Sequence, residues 1–306
     1  MENLRGKTAF ITGGASGIGL GIAKAFAKEG MNIVIADMRQ NAIDETLQLF
    51  EENGWPAFGV QLDVSDRAAY TKAVDAAEAK FGNIHLLVNN AGIGCTGGPL
   101  WSVTHKDTDI AVRINLIAVL NGIQEIVPRM IKHGEGGHIV STASKAAIVP
   151  VPGCGLYNVT KSAVAAIMES LASDLTGTNI GASAFCPGGY QSNLGASSTE
   201  VTARILGEEP APPPAPPSGA AAEAMMASWS EVIRSTDDAG ARVVRGVKRG
   251  DLFILTHSEF KEGIEVKLEA VRKSIPADEP NPRYAEVFPM VVYNDIYEKQ
   301  TQVPAL

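Results

Sequence analysis

The sequence predicts an α/β chain built on an open, doubly wound parallel sheet with helices on both faces. Three observations carry this expectation. Short apolar runs alternate with amphipathic stretches through about two-thirds of the chain, a glycine-rich turn follows the first run, and no repeat of solenoid period appears. At 306 residues the chain is long for one such domain and short for two. A single domain over 1–306 with an elaborated C-terminal part is therefore expected.

The buried strands are expected at Thr8–Ile11, Asn32–Ala36, Leu86–Val88, His138–Val140, Gly181–Phe185 and, well separated from these, Leu252–Leu255. Each is a short apolar run bounded by turn-forming residues. Helices are expected at Ile18–Lys28, closed by Gly30, and at Asn41–Glu52, closed by Asn53-Gly54. The rhythm breaks after Gly188. Pro210 to Pro217 holds a proline run that can be neither helix nor central strand, since proline fixes φ and lacks an amide donor. Helix formers return at Ala220–Ile233 and Asp237–Lys248.

Composition narrows the function classes. A net charge of −8 argues against binding driven by clustered Lys and Arg, so neither nucleic acid nor an anionic membrane surface is an expected partner. The opening residues pass from polar into one short apolar run, unlike a secretory signal, and no apolar stretch of spanning length is evident, so a cytoplasmic protein is expected. Cys95, Cys154 and Cys186 are isolated, and the five histidines show no ligand spacing, so no metal site is expected.

The turn Thr12–Gly19 lies between the first strand and the first helix, with glycines at 13, 17 and 19. Such a turn lets a dinucleotide pyrophosphate approach the backbone at the positive end of a helix dipole. Gly13, Ser16, Gly17, Ile18 and Gly19 are accordingly candidate cofactor residues. Asp37 ends the second strand, where a carboxylate can reach the adenosine ribose hydroxyls and repel a 2′-phosphate, which favours NAD over NADP. Arg39 pulls the other way, because a nearby cation can accommodate that phosphate. Tyr157 and Lys161 are four residues apart, so on a helix they share a face. A free phenol is a poor base at neutral pH, and a nearby ammonium favours its ionised form. The same spacing is also common in plain half-exposed helix pairs.

Asp63, Asn89-Asn90-Ala91-Gly92, Asn115, Ser144, Tyr157 with Lys161, and Pro187-Gly188 closely resemble the short-chain dehydrogenase/reductase family in order and spacing, over roughly residues 5–194. The resemblance implies a Rossmann-type sheet of about seven parallel strands in three α/β/α layers. It also implies an Asn-Ser-Tyr-Lys tetrad, which falls on Asn115, Ser144, Tyr157 and Lys161. Tyr157 would exchange the alcohol proton, Ser144 would hold the substrate oxygen, and Asn115 would organise a water linking Lys161 to solvent. Asp63 and Val64 are implied near adenine, Asn90, Ala91 and Gly92 beside the cofactor, and Pro187, Gly188 and Ser192 near the carboxamide. The activity implied is NAD-dependent interconversion of a secondary alcohol and a ketone in a homodimer or homotetramer. A non-catalytic NAD sensor and an NADP-dependent ketone reductase are the competing readings.

Leu255-Thr256-His257, beyond the last strand, resemble bacterial dehydrogenases of that family that oxidise benzylic alcohols of lignin-type aryl ethers. Residues 195–250 are expected to form a substrate lid, with Leu206, Met225, Met226, Trp229 and Ile233 as its apolar wall, which suits a bulky or aromatic substrate. The tail 283–306 is rich in aromatic and aliphatic residues and is expected to pack on a neighbouring subunit or across its own substrate cleft.

Overall fold

The structure, a computed structural model, describes residues 1–209, 228–229 and 231–302. Seven parallel strands form one sheet in the order β3-β2-β1-β4-β5-β6-β7. They are β1 (Thr8–Thr12), β2 (Asn32–Asp37), β3 (Ala57–Gln61), β4 (Ile84–Asn89), β5 (Gly137–Thr142), β6 (Ile180–Cys186) and β7 (Phe253–Leu255). Strands β1 and β4 are buried along their whole length, as expected where helices cover both faces. Strand β3 carries little apolar signal because it is the sheet edge and only half-buried. Its central Gly59 is pressed by the α2 helix (Gln40–Glu52): a Cβ there would stand 2.3 Å from Ile43 Cγ2.

One face carries α3 (Arg67–Phe81), α4 (His105–Val112), α5 (Ala118–His133) and α7 (Gly155–Asp174), over Phe10, Tyr70, Leu87, Ile126 and Met168. The other carries α1 (Gly17–Lys28), α2 and α9 (Thr236–Arg249), over Ile11, Phe26, Ile35, Phe185 and Val243. Helices α1 and α9 touch through Gly21 and Gly240, where a Cβ on Gly240 would stand 2.2 Å from the Gly21 carbonyl oxygen. That approach makes Thr236–Arg249 part of the framework. The segment 195–250 is therefore not one lid: its last part covers the sheet. The proline run, Met225 and Met226 lie outside the described residues.

By length and composition His105–His133 could cross a bilayer, contrary to the sequence expectation, and 56% of its apolar window is buried inside the fold. It comprises α4, a π-helical turn at Arg113–Ile117, and α5. Its apolarity thus serves the layer against β4.

Beyond β7, α10 (Lys261–Lys273) leads into a segment in which residues 270–293 are all exposed. Phe288 is half exposed and Met290 is 90% exposed. The chain returns at Asn294, whose Nδ2 donates to Ser173 Oγ at 3.1 Å, and at Ile296, which is buried. Tyr297 donates to Glu169, and Gln300 accepts from the Leu252 amide. The described part of the tail thus docks on α7 through Asn294 and Tyr297.

Candidate active site

The strand order reverses between β1 and β4, so the segments leaving their carboxyl ends diverge and open a cleft. A cavity of about 320 Å³ lies there. Gly13, Ser16, Gly17, Ile18, Asp37 and Arg39 line one end, and Ser144, Tyr157, Lys161, Pro187, Gly188 and Ser192 line the other. Asn90, Ala91 and Gly92 form the floor between them.

The glycine turn has two positive-φ residues, Gly13 at 61° and Gly17 at 51°, a conformation that side-chain-bearing residues rarely adopt. A Cβ on Gly13 would stand 3.0 Å from Ala91 Cα. Gly19 serves packing and not the cavity wall, since a Cβ there would meet the Gly13 carbonyl oxygen at 2.0 Å. Ser16 occupies the N-cap of α1 without capping it, so the first-turn amides stay available. Its Oγ accepts instead from Arg39 Nη2 at 2.8 Å. These features fit a dinucleotide pyrophosphate at the mouth of α1.

Asp37 is buried and densely bonded. Its Oδ1 accepts from the Arg39 amide at 3.1 Å and from Arg39 Nε at 3.2 Å, and its Oδ2 accepts from the Ala15 amide at 3.4 Å. Asp63 Oδ1 accepts from Ser65 N and Oγ at 2.9 and 2.7 Å. The cavity wall here includes Leu62 and Val64.

The floor is tied to the glycine turn. Asn90 Nδ2 donates to the carbonyls of Thr12 and Gly13, both at 3.2 Å, and Thr12 Oγ1 accepts from the amides of Asn90 and Ala91 at 3.0 and 3.1 Å. Asn90 Oδ1 accepts from Thr142 Oγ1 at 3.3 Å.

At the far end, Ser144 caps α6 (Lys145–Ile148), accepting from the Ala146 amide at 3.1 Å. Burial pushes the Tyr157 phenol above its ordinary pKa, and a hydrogen bond with Ser144 pulls it back in part. Lys161 is buried, and desolvation lowers it to about 8. Its Nζ donates to the Thr142 carbonyl at 2.9 Å and lies 5.8 Å from the Tyr157 ring centroid. The cation therefore faces the Tyr157 ring and the end of β5. Asn115 sits in the π-helical turn, a feature often found at functional sites. Its Oδ1 accepts from the Ile93 amide at 2.8 Å, and its Nδ2 donates to the Ile93 carbonyl at 3.0 Å and to Thr160 Oγ1 at 3.3 Å. Asn115 thus clamps the segment after β4, beside which Lys161 also lies. Both side chains crowd Gly92, where a Cβ would stand 3.1 Å from Asn115 Oδ1 and 3.4 Å from Lys161 Nζ.

Sequence reasoning missed the apolar wall of Met38, Leu62, Ile93, Ile114 and Val201, which carries no polar signature. Thr142, at the end of β5, lines the cavity as well. Helix α8 (Leu194–Leu206) contributes Leu194, Ser197 and Val201 to the wall, whereas Trp229 is exposed. Among the described residues, no cluster of His, Cys, Asp and Glu could hold a metal ion.

The family model described as short chain dehydrogenase matches residues 7–202, well over half of the chain. The chain belongs to the short-chain dehydrogenase family. It is accordingly an oxidoreductase acting on alcohol or ketone groups, in a family whose cofactor is a nicotinamide dinucleotide. It is 33% identical over 292 residues to the C alpha-dehydrogenase of Sphingobium sp. (strain NBRC 103272 / SYK-6), covering 93% of this chain and 92% of that one. A short chain dehydrogenase/reductase from Burkholderia phymatum, solved in complex with NAD, superposes with a TM-score of 0.78 at 30% identity, covering 92% of this chain and 99% of that one. A short chain dehydrogenase from Burkholderia cenocepacia, solved with NADP, gives a TM-score of 0.66 at 30% identity over 83% and 96% of the two chains. The solved neighbours thus include complexes of both cofactors.

Proposed function

We propose that the chain is an NAD-dependent dehydrogenase that interconverts a bulky or aromatic secondary alcohol and its ketone, with Tyr157 as general acid and base. The observation that carries this reading is a single cleft with a glycine turn and a buried Asp37 at one end and Ser144, Tyr157 and Lys161 at the other. A sensor would need the first set and not the second. The pyrophosphate would rest on Gly13 to Ile18, the adenosine ribose on Asp37, and adenine against Leu62 and Val64. Lys161 would hold the other ribose, with Pro187, Gly188 and Ser192 at the carboxamide. When bound, the nicotinamide supplies the carbon that accepts or returns hydride.

Ser144 donates to the substrate oxygen and holds it beside the Tyr157 phenol. In oxidation Tyr157 takes the hydroxyl proton as hydride leaves the carbinol carbon and the C=O bond forms. In reduction the phenol returns that proton to the oxygen. Burial favours the neutral phenol, so the ligand-free site is poised as the acid. Asn115 fixes the segment after β4 that forms the cleft floor, and through it Gly92 beside Lys161.

The apolar wall of Ile93, Ile114, Leu194 and Val201 supports a large apolar substrate. The C alpha-dehydrogenase relative favours a benzylic alcohol within that class. Helix α8 forms the movable part of the substrate site on this reading, and the location is cytoplasmic. The exposed apolar tail supports a homo-oligomer: Tyr284, Val287, Phe288, Met290 and Val291 would be a liability on a monomer. A panel of aryl, alicyclic, steroid and polyol secondary alcohols with NAD, followed by NADH absorbance, tests the reading. Turnover is expected on aryl carbinols, and turnover confined to polyols would contradict it.

A further inference from the structure

We propose that Thr256, braced by His257, is a positioning residue that sets the Pro187-Gly188 turn against the nicotinamide end of the cofactor. The proposal rests on the cofactor reading of that turn given above.

The Gly188 amide donates to Thr256 Oγ1 at 3.0 Å, and Thr256 is buried just beyond the end of β7. The same hydroxyl lies 2.6 Å from His257 Nδ1. A threonine hydroxyl can do both at once, accepting on a lone pair from the amide and donating its own proton to a neutral imidazole nitrogen. The imidazole is itself fixed, stacked on Phe260 with ring centroids 5.1 Å apart and meeting the Tyr190 ring edgewise at 5.8 Å. Burial, and then Arg234, lower its pKa, which keeps the imidazole in the neutral form that accepts this bond.

The aromatic pair lies directly behind the turn. A Cβ on Gly188 would stand 2.6 Å from Phe260 Cζ and 2.7 Å from His257 Cε1. In front of the turn is the cleft, where Pro187 and Gly188 face Ser144, Tyr157 and Lys161. The Pro187 carbonyl accepts from the Lys145 amide at 2.9 Å, one residue beyond Ser144. The turn is thus pinned at two points: Lys145 ties it to the acid-base machinery, and Thr256 fixes its height over the cleft. Residues far beyond the family-matched segment 7–202 thereby set a wall of the cofactor site.

A residue acting only at the nicotinamide end should not affect a ligand that lacks nicotinamide. ADP-ribose and NADH therefore form the test pair, with binding measured by calorimetry on the full chain. In Thr256→Val, which keeps the shape and removes the hydroxyl, NADH affinity is expected to fall about tenfold while ADP-ribose stays within about twofold. Thr256→Ser should restore NADH binding, and His257→Phe, which keeps the stacking and loses the acceptor, should show a smaller loss of the same selectivity. The turnover number should fall with NADH affinity in Thr256→Val. Equal weakening of both ligands would mean a general structural role and would overturn the proposal, as would unchanged NADH affinity. Failure of the underlying cofactor reading is separately visible, because the wild-type chain would then bind neither ligand, and the proposal would fall with it.

Discussion

Arg39 Nε lies 3.2 Å from Asp37 Oδ1, so the carboxylate that bears on cofactor choice is held by the very cation that could oppose it. On the proposed reading the arginine is engaged while that pair persists, and the carboxylate dominates the ribose end. The wild-type enzyme is expected to have a higher kcat/KM with NAD than with NADP. Asp37→Ser removes the repulsion and frees Arg39 for a 2′-phosphate, and should move the ratio toward NADP by about tenfold or more. Kinetics with both cofactors check this. Equal or better efficiency with NADP in the wild type would contradict it.

The Ser144 hydrogen bond lowers a phenol that burial raises. Alcohol oxidation needs the phenolate, so kcat/KM for oxidation should climb with pH into the alkaline range. In Ser144→Ala the opposing hydrogen bond is lost, and the midpoint of that climb should shift to higher pH, with a fall in rate from the lost contact to substrate oxygen. A pH–rate profile of both proteins reads the shift. An unchanged midpoint would separate Ser144 from Tyr157.

His138 is buried within β5, with Nε2 2.7 Å from Ser183 Oγ, which in turn donates to the Asp251 carbonyl. Burial lowers its pKa to about 3. Between its ordinary value of 6.5 and about 3, the unfolded chain binds a proton that the folded chain refuses. Stability is therefore full above the ordinary value and falls as pH drops through that window, by up to about 1.4 kcal/mol per pH unit. His138→Gln keeps a donor to Ser183 and cannot titrate. Chemical denaturation from pH 7 to 4 should give a shallower loss for the variant, and parallel curves would contradict the assignment.

The glycine turn and Asp37 were legible in the sequence from their places in the β-α rhythm, Tyr157 and Lys161 from their helical spacing, and Ser144 through the family resemblance. What spacing could not supply was orientation. That Lys161 turns to the Thr142 carbonyl, that Asp63 folds back on Ser65, and that Asn115 clamps Ile93 follow from local competition for hydrogen bonds among neighbours distant in sequence. Strand β3 escaped because an edge strand is only half-buried and shows no continuous apolar run. Helix α9 was legible as a helix but not as framework, because its place is set by a glycine-to-glycine approach between Gly21 and Gly240.

The exposed stretch 270–293 is anchored on both sides, at α10 and at Ile296, so its apolar face is held outward. Wild-type protein is expected to be a dimer or tetramer by light scattering. Met290→Asp combined with Val291→Asp should lower the assembly state while leaving NADH binding intact. A monomeric wild type, or an unchanged assembly in the variant, would contradict the proposed role of the tail.

The central claim is that Tyr157 carries the proton, and Tyr157→Phe tests it most directly because only the phenolic oxygen is removed. Single-turnover oxidation of the best aryl carbinol, with NADH binding measured on the same preparation, is the decisive measurement. The expected result is intact cofactor affinity with a loss of about 10² to 10⁴ in rate. A rate within a few-fold of wild type would contradict the account and place the acid-base group elsewhere in the cleft.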